Sequence, residues 1–138
     1  MIDRETMLRT IEATYQARQR GDKAGVAGVL AADATYRLIG RSHLLGGMPV
    51  GPSNAEQAIG GLIDQFHFPE VRLINVLIDG QRAAVHLAVR VVAAGTTDEV
   101  ETELLDLWTF DGKGEVTDIT EFADTALVSA MLSGLQRG

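Results

Sequence analysis

A pair of strand-like segments joined by a tight turn constrains the fold of this chain more than any other feature. Residues 70–79 (EVRLINVLID) and 81–94 (QRAAVHLAVRVVAA) are rich in β-branched and aliphatic residues, and Asp79-Gly80 lies between them. An Asp-Gly pair between two such runs is a strong hairpin signal. Residues 100–110 (VETELLDLWTF) and 115–122 (EVTDITEF) repeat the pattern around the turn DGKG. The second half of the chain is therefore predicted to form an antiparallel meander.

The first half has helical periodicity instead. Apolar residues recur at the 3.6-residue spacing of an amphipathic helix, namely Met7, Leu8, Ile11 and Tyr15. Gly21 suits the left-handed position after a helix, and Asp22 can cap a short second helix. A strand is expected at 34–40, and a Gly/Pro-rich loop at 46–54 precedes a third helix capped by Ser53 or Asn54.

We expect strand 70–79 to start after Pro69. At the end of the chain, Asp124 is expected to cap a last helix. Helices first and strands afterwards indicate an α+β fold, in which a curved antiparallel sheet packs on the N-terminal helices. No linker or repeat divides the chain, so residues 1–138 are predicted to form a single domain.

Composition and charge argue against several classes of function. The 138 residues include 46% hydrophobic residues, enough for one domain with a core and a pocket. The net charge of −7 and the scattered basic residues argue against nucleic-acid and anionic-membrane partners. The N-terminal segment lacks an apolar leader, and no apolar run reaches the length of a membrane span. We expect a cytoplasmic protein.

Metal and thiol chemistry are not expected either. The chain has no cysteine, and its three histidines, His43, His67 and His86, lack the spacing of metal ligands. No phosphate-binding glycine motif occurs, so no cofactor is predicted. His86 falls on the strand face opposite to Val85 and Leu87, where an interface residue is expected, and His43 lies near the predicted loop.

The segment LLDLWTF, residues 104–110, contains one acid among apolar residues. A buried carboxylate is costly unless it is paired or takes up a proton. Asp106 has three interpretations at this point: a neutral acid in a pocket, a paired buried acid, or a solvent-facing residue if Leu105 and Leu107 form the buried face.

Three stretches carry a resemblance to a known superfamily: YQARQRGD at the first helix, LAADATY before the first strand, and LDLWTFDGKGEVTDITEF near the end. The chain resembles the nuclear transport factor 2-like superfamily, and within it the ketosteroid isomerase and SnoaL-like polyketide cyclase branch. The resemblance covers nearly the whole chain and implies a cone-shaped α+β roll.

The resemblance also implies site residues. Tyr15 matches the tyrosine and Asp106 the protonated aspartic acid that donate hydrogen bonds to a substrate oxygen in ketosteroid isomerases, where an apolar site keeps the acid neutral. Leu38 occupies the place of the usual aspartate base. The implied ligand is a small, mostly apolar carbonyl compound, in a cavity lined by Leu38, Phe66, Leu87, Val89 and Trp108. Tyr15 taken alone is also compatible with an ordinary core tyrosine.

Glu121 shares a strand face with Ile119 and Ala123, and it matches an acidic base in limonene-type epoxide hydrolases of the same superfamily. Those enzymes also use an arginine and a second aspartate, and the matching positions here are Leu87 and Val89. Glu121 is therefore either a catalytic base or a carboxylate at the rim of the pocket. An alternative to both enzyme hypotheses is a non-catalytic module that binds a small ligand or dimerises.

Small and apolar residues on both faces of the predicted sheet suggest that the outer face is covered. We expect a homodimer formed through the outer face of residues 81–94 and 100–110.

Overall fold

The computed structural model describes residues 2–136. Helices and strands follow in the order α1 (Arg4–Arg20), α2 (Lys23–Ala27), β1 (Leu30–Leu38), β2 (Ser53–Asn54), α3 (Ala55–Gln65), β3 (Phe66–Asp79), β4 (Arg82–Ala93), β5 (Glu99–Phe110), β6 (Val116–Phe122) and α4 (Thr125–Gln136). The α+β class expected from the sequence is confirmed. None of the helices in this range is long and apolar enough to cross a membrane.

The six strands form one mixed sheet in the order β2-β1-β6-β5-β4-β3. The predicted meander is confirmed, because β3, β4, β5 and β6 pair antiparallel in chain order. The sequence did not predict that β1 pairs parallel with β6. The expectation of a wholly antiparallel sheet was therefore wrong at this one pair.

The predicted helix ends coincide with capping groups. Gly21 closes α1 with a φ of 71°, in the left-handed region that glycine adopts without strain. The Asp22 carboxylate accepts a hydrogen bond from the Gly25 amide at the start of α2. Of the two residues proposed to cap α3, Asn54 does so, through the amide of Gln57. Asp124 accepts from the amide of Leu127 and caps α4.

Strand β3 begins at Phe66, four residues before the predicted start, and contains Pro69. Proline has no amide hydrogen to donate to a sheet, which is why the sequence favoured a start after it. The strand tolerates Pro69 because β3 is an edge strand and its register with β4 shifts between His67 and Glu70.

Alternation along β5 decides which way Asp106 points. Leu104, Asp106, Trp108 and Phe110 are buried, whereas Leu105 is exposed on the opposite face. The inner face of the sheet packs on α1 and α3, and Met7 and Ile11 of α1 are fully buried there. The interpretation of Asp106 as a solvent-facing residue was therefore wrong.

Candidate active site

A cavity of about 110 Å³ lies between the inner face of the sheet and the helices. Its apolar wall combines side chains of α3, α4 and the strands, including Ile59, Leu62, Val91, Leu104 and Val128. Its polar side chains come chiefly from α1, β1, β5 and β6, and they are Thr14, Tyr15, Arg18, Tyr36, Thr102, Asp106, Glu121 and Asp124. Polar groups gathered in a mostly apolar cavity are typical of small-molecule sites.

Tyr15 and Asp106 are in direct contact. The Tyr15 hydroxyl donates to Oδ2 of Asp106 at 2.5 Å, and both side chains are buried. The indole Nε1–H of Trp108 donates in turn to the Tyr15 oxygen at 3.1 Å, and the two rings meet edge to face with centroids 5.6 Å apart. The two residues that the resemblance pairs are thus brought together, and Trp108 fixes the direction of the tyrosine O–H.

Glu121 lies beside Asp106 because the two residues are partners across β5 and β6. Its Oε1 accepts a hydrogen bond of 2.6 Å from the hydroxyl of Tyr36, a buried residue of β1. Leu38 is the partner of Glu121 across the parallel strands β1 and β6. A carboxylate therefore lies one strand away from the position where the resemblance places the general base.

The environment of Asp106 favours its neutral form. Burial is the largest cause that raises its pKa well above 3.8, followed by the negative charge of Glu121 and a hydrogen bond to Glu121. Oδ1 of Asp106 is buried without a hydrogen-bond donor near it. A proton on Asp106 satisfies this atom, since the acid can then donate to Glu121 while Oδ2 accepts from Tyr15.

The two tyrosines keep their protons as well. Burial, and then the charge of Asp106, raises the pKa of Tyr15 well above 10.0. Burial, and then the charge of Glu121, raises the pKa of Tyr36 in the same way. The result is two hydrogen-bonded groups, Trp108–Tyr15–Asp106 and Tyr36–Glu121, whose carboxyl groups are partners across β5 and β6.

Arg18 is the cation of the cavity. One of its nitrogens, Nη2, donates to the backbone oxygens of Phe66 at 2.8 Å and Leu62 at 3.3 Å. Its guanidinium carbon lies 3.7 Å from the centre of the Phe68 ring. Burial lowers the pKa of Arg18 to about 10, so that the group is still cationic at neutral pH.

The predicted lining residues divide into two groups. Leu38, Phe66 and Trp108 lie in the cavity wall, as expected. Leu87 and Val89 are fully buried on the same sheet face, but they lie in the hydrophobic core rather than along the wall. The residue of strand β4 that lines the cavity is Val91, two positions after Val89.

The histidines lie outside the cavity. His86 faces outward as expected, where it contacts Asn75 at 3.2 Å and Glu103 at 2.6 Å. His43 and His67 are exposed. Neither is among the residues that line the cavity.

Sequence reasoning missed Tyr36 and Arg18. The sequence could have indicated both residues as neighbours of predicted site residues. Tyr36 shares a strand face with Leu38, and Arg18 follows Tyr15 by three residues on one face of α1. Both residue types are amphipathic and common in ordinary packing, so neither stood out.

With the geometry established, the family can be assigned. The model of the SnoaL-like domain matches residues 11–128, which include Tyr15, Tyr36, Asp106, Trp108 and Glu121. The chain belongs to the SnoaL-like domain family. No curated protein sequence matches it significantly.

Solved structures agree on the fold of this SnoaL-like domain. A proposed isomerase from Rhodopseudomonas palustris has a TM-score of 0.75 at 15% identity, with 97% of this chain and 99% of that chain covered. An NTF2-like protein from Burkholderia xenovorans has a TM-score of 0.70 at 21% identity, with 95% and 98% covered. An M. tuberculosis epoxide hydrolase of the LEH-like type has a TM-score of 0.67 at 20% identity, with 97% and 92% covered.

At sequence identities of 15–21%, the similarity to these structures shows a shared fold and not a shared reaction. The chain therefore shares its architecture with proteins described as an isomerase and as an epoxide hydrolase. Its own side chains have to carry any argument about the reaction.

Proposed function

We propose that this SnoaL-like domain is an enzyme that moves a proton within a small, mostly apolar carbonyl compound. The observation that carries the proposal is the position of Asp106 at an apolar cavity, hydrogen-bonded to Tyr15 and beside its cross-strand partner Glu121. Burial raises the pKa of Asp106 well above 3.8, which favours its neutral form. Such a pair offers a hydrogen-bond donor to an oxygen and a base to a neighbouring C–H in one step.

The reaction balances without an added reagent. The carbonyl oxygen of the substrate accepts hydrogen bonds from Tyr15 and Asp106, whose O–H groups turn from their resting partners toward it. Glu121 takes a proton from the carbon next to the carbonyl, and the C–H electron pair forms the enolate. Glu121 then returns the proton to a different carbon of the conjugated system, so that a double bond moves and no electrons are gained or lost.

The cavity limits the size of the substrate. An apolar cavity of about 150 Å³ accommodates benzene, and the cavity here is of about 110 Å³. The cavity here is the smaller of the two, so a single ring or a short branched chain is the upper limit of what it encloses, and the four fused rings of a steroid exceed it.

Isomerisation of a small ring ketone tests the proposal. The substrate is 3-cyclohexen-1-one, whose conversion to the conjugated 2-cyclohexen-1-one is followed by ultraviolet absorbance. We expect turnover by the wild type and a loss of about 10²–10⁴-fold in Glu121→Gln, the usual value of a general base. Glu103→Gln, which changes an exposed carboxylate on the outer face, is the matched control and should keep the rate.

The same experiment distinguishes the proposed enzyme from a non-catalytic binding module. A protein that binds the ketone but gives no conversion and no exchange of its α-hydrogens in D₂O would be a binding module, and the proposal would fail. Retention of the full rate by Glu121→Gln would overturn the assignment of the base.

A second candidate, hydrolysis of a small epoxide, is favoured by one observation. Asp106 and Glu121 are adjacent, so the neutral acid can protonate an epoxide oxygen while the carboxylate activates a water. However, the arginine and second aspartate of limonene-type enzymes correspond to Leu87 and Val89 here. Formation of a diol from cyclohexene oxide, in place of ketone isomerisation, would favour this candidate.

A further inference from the structure

We propose that Arg18 binds an anionic oxygen of the ligand, so that the molecule recognised is a small apolar compound carrying a carboxylate. The inference deepens the proposed function by naming the substrate class. Its evidence is separate from the acid–base pair, because it rests on the arrangement of the guanidinium group.

Arg18, a residue that lines the cavity, has a side-chain hydrogen-bond donor without a partner. The residue is 8% exposed and lies in the cavity wall. Its Nη2 is occupied by the backbone oxygens of Leu62 and Phe66, but Nη1 is buried and has no hydrogen-bond partner. A buried donor without a partner costs free energy, and a ligand oxygen beside it would remove that cost.

The positive charge is not neutralised by a contact either. Within residues 2–136 the cations that form ion pairs are Arg9, Arg20, Lys23 and Arg90. The acids that influence Arg18, Asp106 and Glu121, act on it without touching it. A buried, unpaired guanidinium favours a ligand that brings a negative charge.

The guanidinium is also held in place before a ligand arrives. The two backbone oxygens fix one edge of its plane, and the Phe68 ring lies against its face. Because the side chain is already ordered, binding an oxygen costs little conformational entropy. Arginine presents fixed N–H groups that match the geometry of a carboxylate.

The position of Arg18 relative to Tyr15 indicates how far the carboxylate of the ligand lies from its carbonyl oxygen. Arg18 and Tyr15 are three residues apart on the inner face of α1, and side chains at this spacing are neighbours. A ligand that meets both would carry its carboxylate a few atoms from its carbonyl oxygen. The substrate class is thus a small apolar keto acid with an unsaturated or enolisable carbon.

Benzoate and benzamide form a matched pair of probes, since they share their shape and differ in charge. We expect calorimetry on the wild type to give about 10–100-fold tighter binding of benzoate, the range for a hydrogen bond to a charged group. Arg18→Met should abolish this preference and leave benzamide binding unchanged. Arg20→Met, which removes an exposed arginine of the same helix, should keep it.

A measurement on the wild type covers the case in which Arg18→Met does not fold. The side-chain nitrogen signals of Arg18, assigned with Arg18→Lys, should shift in the NMR spectrum on addition of benzoate and stay in place with benzamide. A purely structural arginine, tied only to Leu62 and Phe66, would show no such difference, and that result would overturn the proposal.

Failure of this inference is distinguishable from failure of the proposed function. If the benzoate preference is lost in Asp106→Leu and retained in Arg18→Met, the acid–base end binds the anion and Arg18 does not. If the preference depends on Arg18 but no ketone is isomerised, the binding inference holds and the proposed reaction is wrong.

Discussion

Asp106 and Glu121 are partners across β5 and β6, and burial raises the pKa of Asp106 well above 3.8. After burial, the negative charge of Glu121 is the next largest cause that raises the pKa of Asp106. Asp106 is the more deeply buried of the two, and its burial favours the protonated form. We propose that Asp106 acts as the acid and Glu121 as the base of this pair.

The first prediction concerns stability. Folding raises the pKa of Asp106 above 3.8, so the native state prefers the protonated acid. The associated stability is fully present below about pH 4, the unfolded pKa of an aspartic acid, and is lost as pH rises through the folded value. The free energy of unfolding of the wild type, minus that of Asp106→Asn, should fall by up to about 1.4 kcal/mol per pH unit.

Urea unfolding at several pH values between about 4.5 and 8 measures this difference. Asp98→Asn, at an exposed position, is the control and should run parallel to the wild type. Parallel curves for Asp106→Asn as well would show that Asp106 ionises like an ordinary surface acid.

The second prediction concerns the donor pair. Phenol resembles an enolate oxygen on a single ring, and it should bind where Tyr15 and Asp106 meet. Removing either donor, in Tyr15→Phe or Asp106→Leu, should weaken binding by about 1–3 kcal/mol. Calorimetry gives the affinities, with Glu103→Gln as the control. Wild-type affinity in both variants would mean that phenol does not contact the pair.

The features that sequence reasoning predicted well depend on neighbouring residues. The Asp79-Gly80 turn and the caps at Gly21 and Asp22 are confirmed, because turn and capping preferences act over a few residues. The parallel pairing of β1 with β6 joins residues more than 80 positions apart, and no local pattern encodes it.

In the candidate site, too, local patterns were predictable from the sequence and long-range contacts were not. The inward direction of Asp106 follows from strand alternation once the buried face is known. How far the cavity extends along β4 depends on where the helices cover the sheet, and for that reason Val91 replaces Leu87 and Val89 in its wall. The roles of Tyr36 and Arg18 depend on contacts with distant segments, which alternation cannot supply.

The third prediction is the homodimer, which we propose to form through the outer sheet face. Leu105 and Phe122 are partners across β5 and β6 on that face and are 38% and 39% exposed. Adjacent exposed apolar side chains on a sheet are typical of an interaction surface. Analytical ultracentrifugation at micromolar concentration should give twice the 14.8 kDa chain mass.

Leu105→Glu should convert the dimer to monomer, because it places a charge next to Phe122. Leu44→Glu, at a 60% exposed apolar residue of a loop, should leave the assembly unchanged. A wild-type monomer at the same concentration would remove the basis of this proposal.

The last prediction exploits the pairing of Leu38 with Glu121 across β1 and β6. The resemblance places the base at Leu38, whereas the proposed base is Glu121 on the adjacent strand. In the double variant Leu38→Asp with Glu121→Gln, a carboxylate moves from one strand to the next, and the number of acids in the cavity stays constant. The double variant should regain part of the about 10²–10⁴-fold loss expected for Glu121→Gln alone.

The combination of Leu38→Asn with Glu121→Gln is the control, since it adds a polar group that cannot take up a proton. It should stay as slow as Glu121→Gln. Calorimetric binding of phenol verifies that the cavity is intact in each variant. If the aspartate double variant binds phenol like the wild type but does not recover activity, a base at position 38 does not reach the substrate carbon. Recovery would instead place that carbon between β1 and β6, next to the oxygen held by Tyr15 and Asp106.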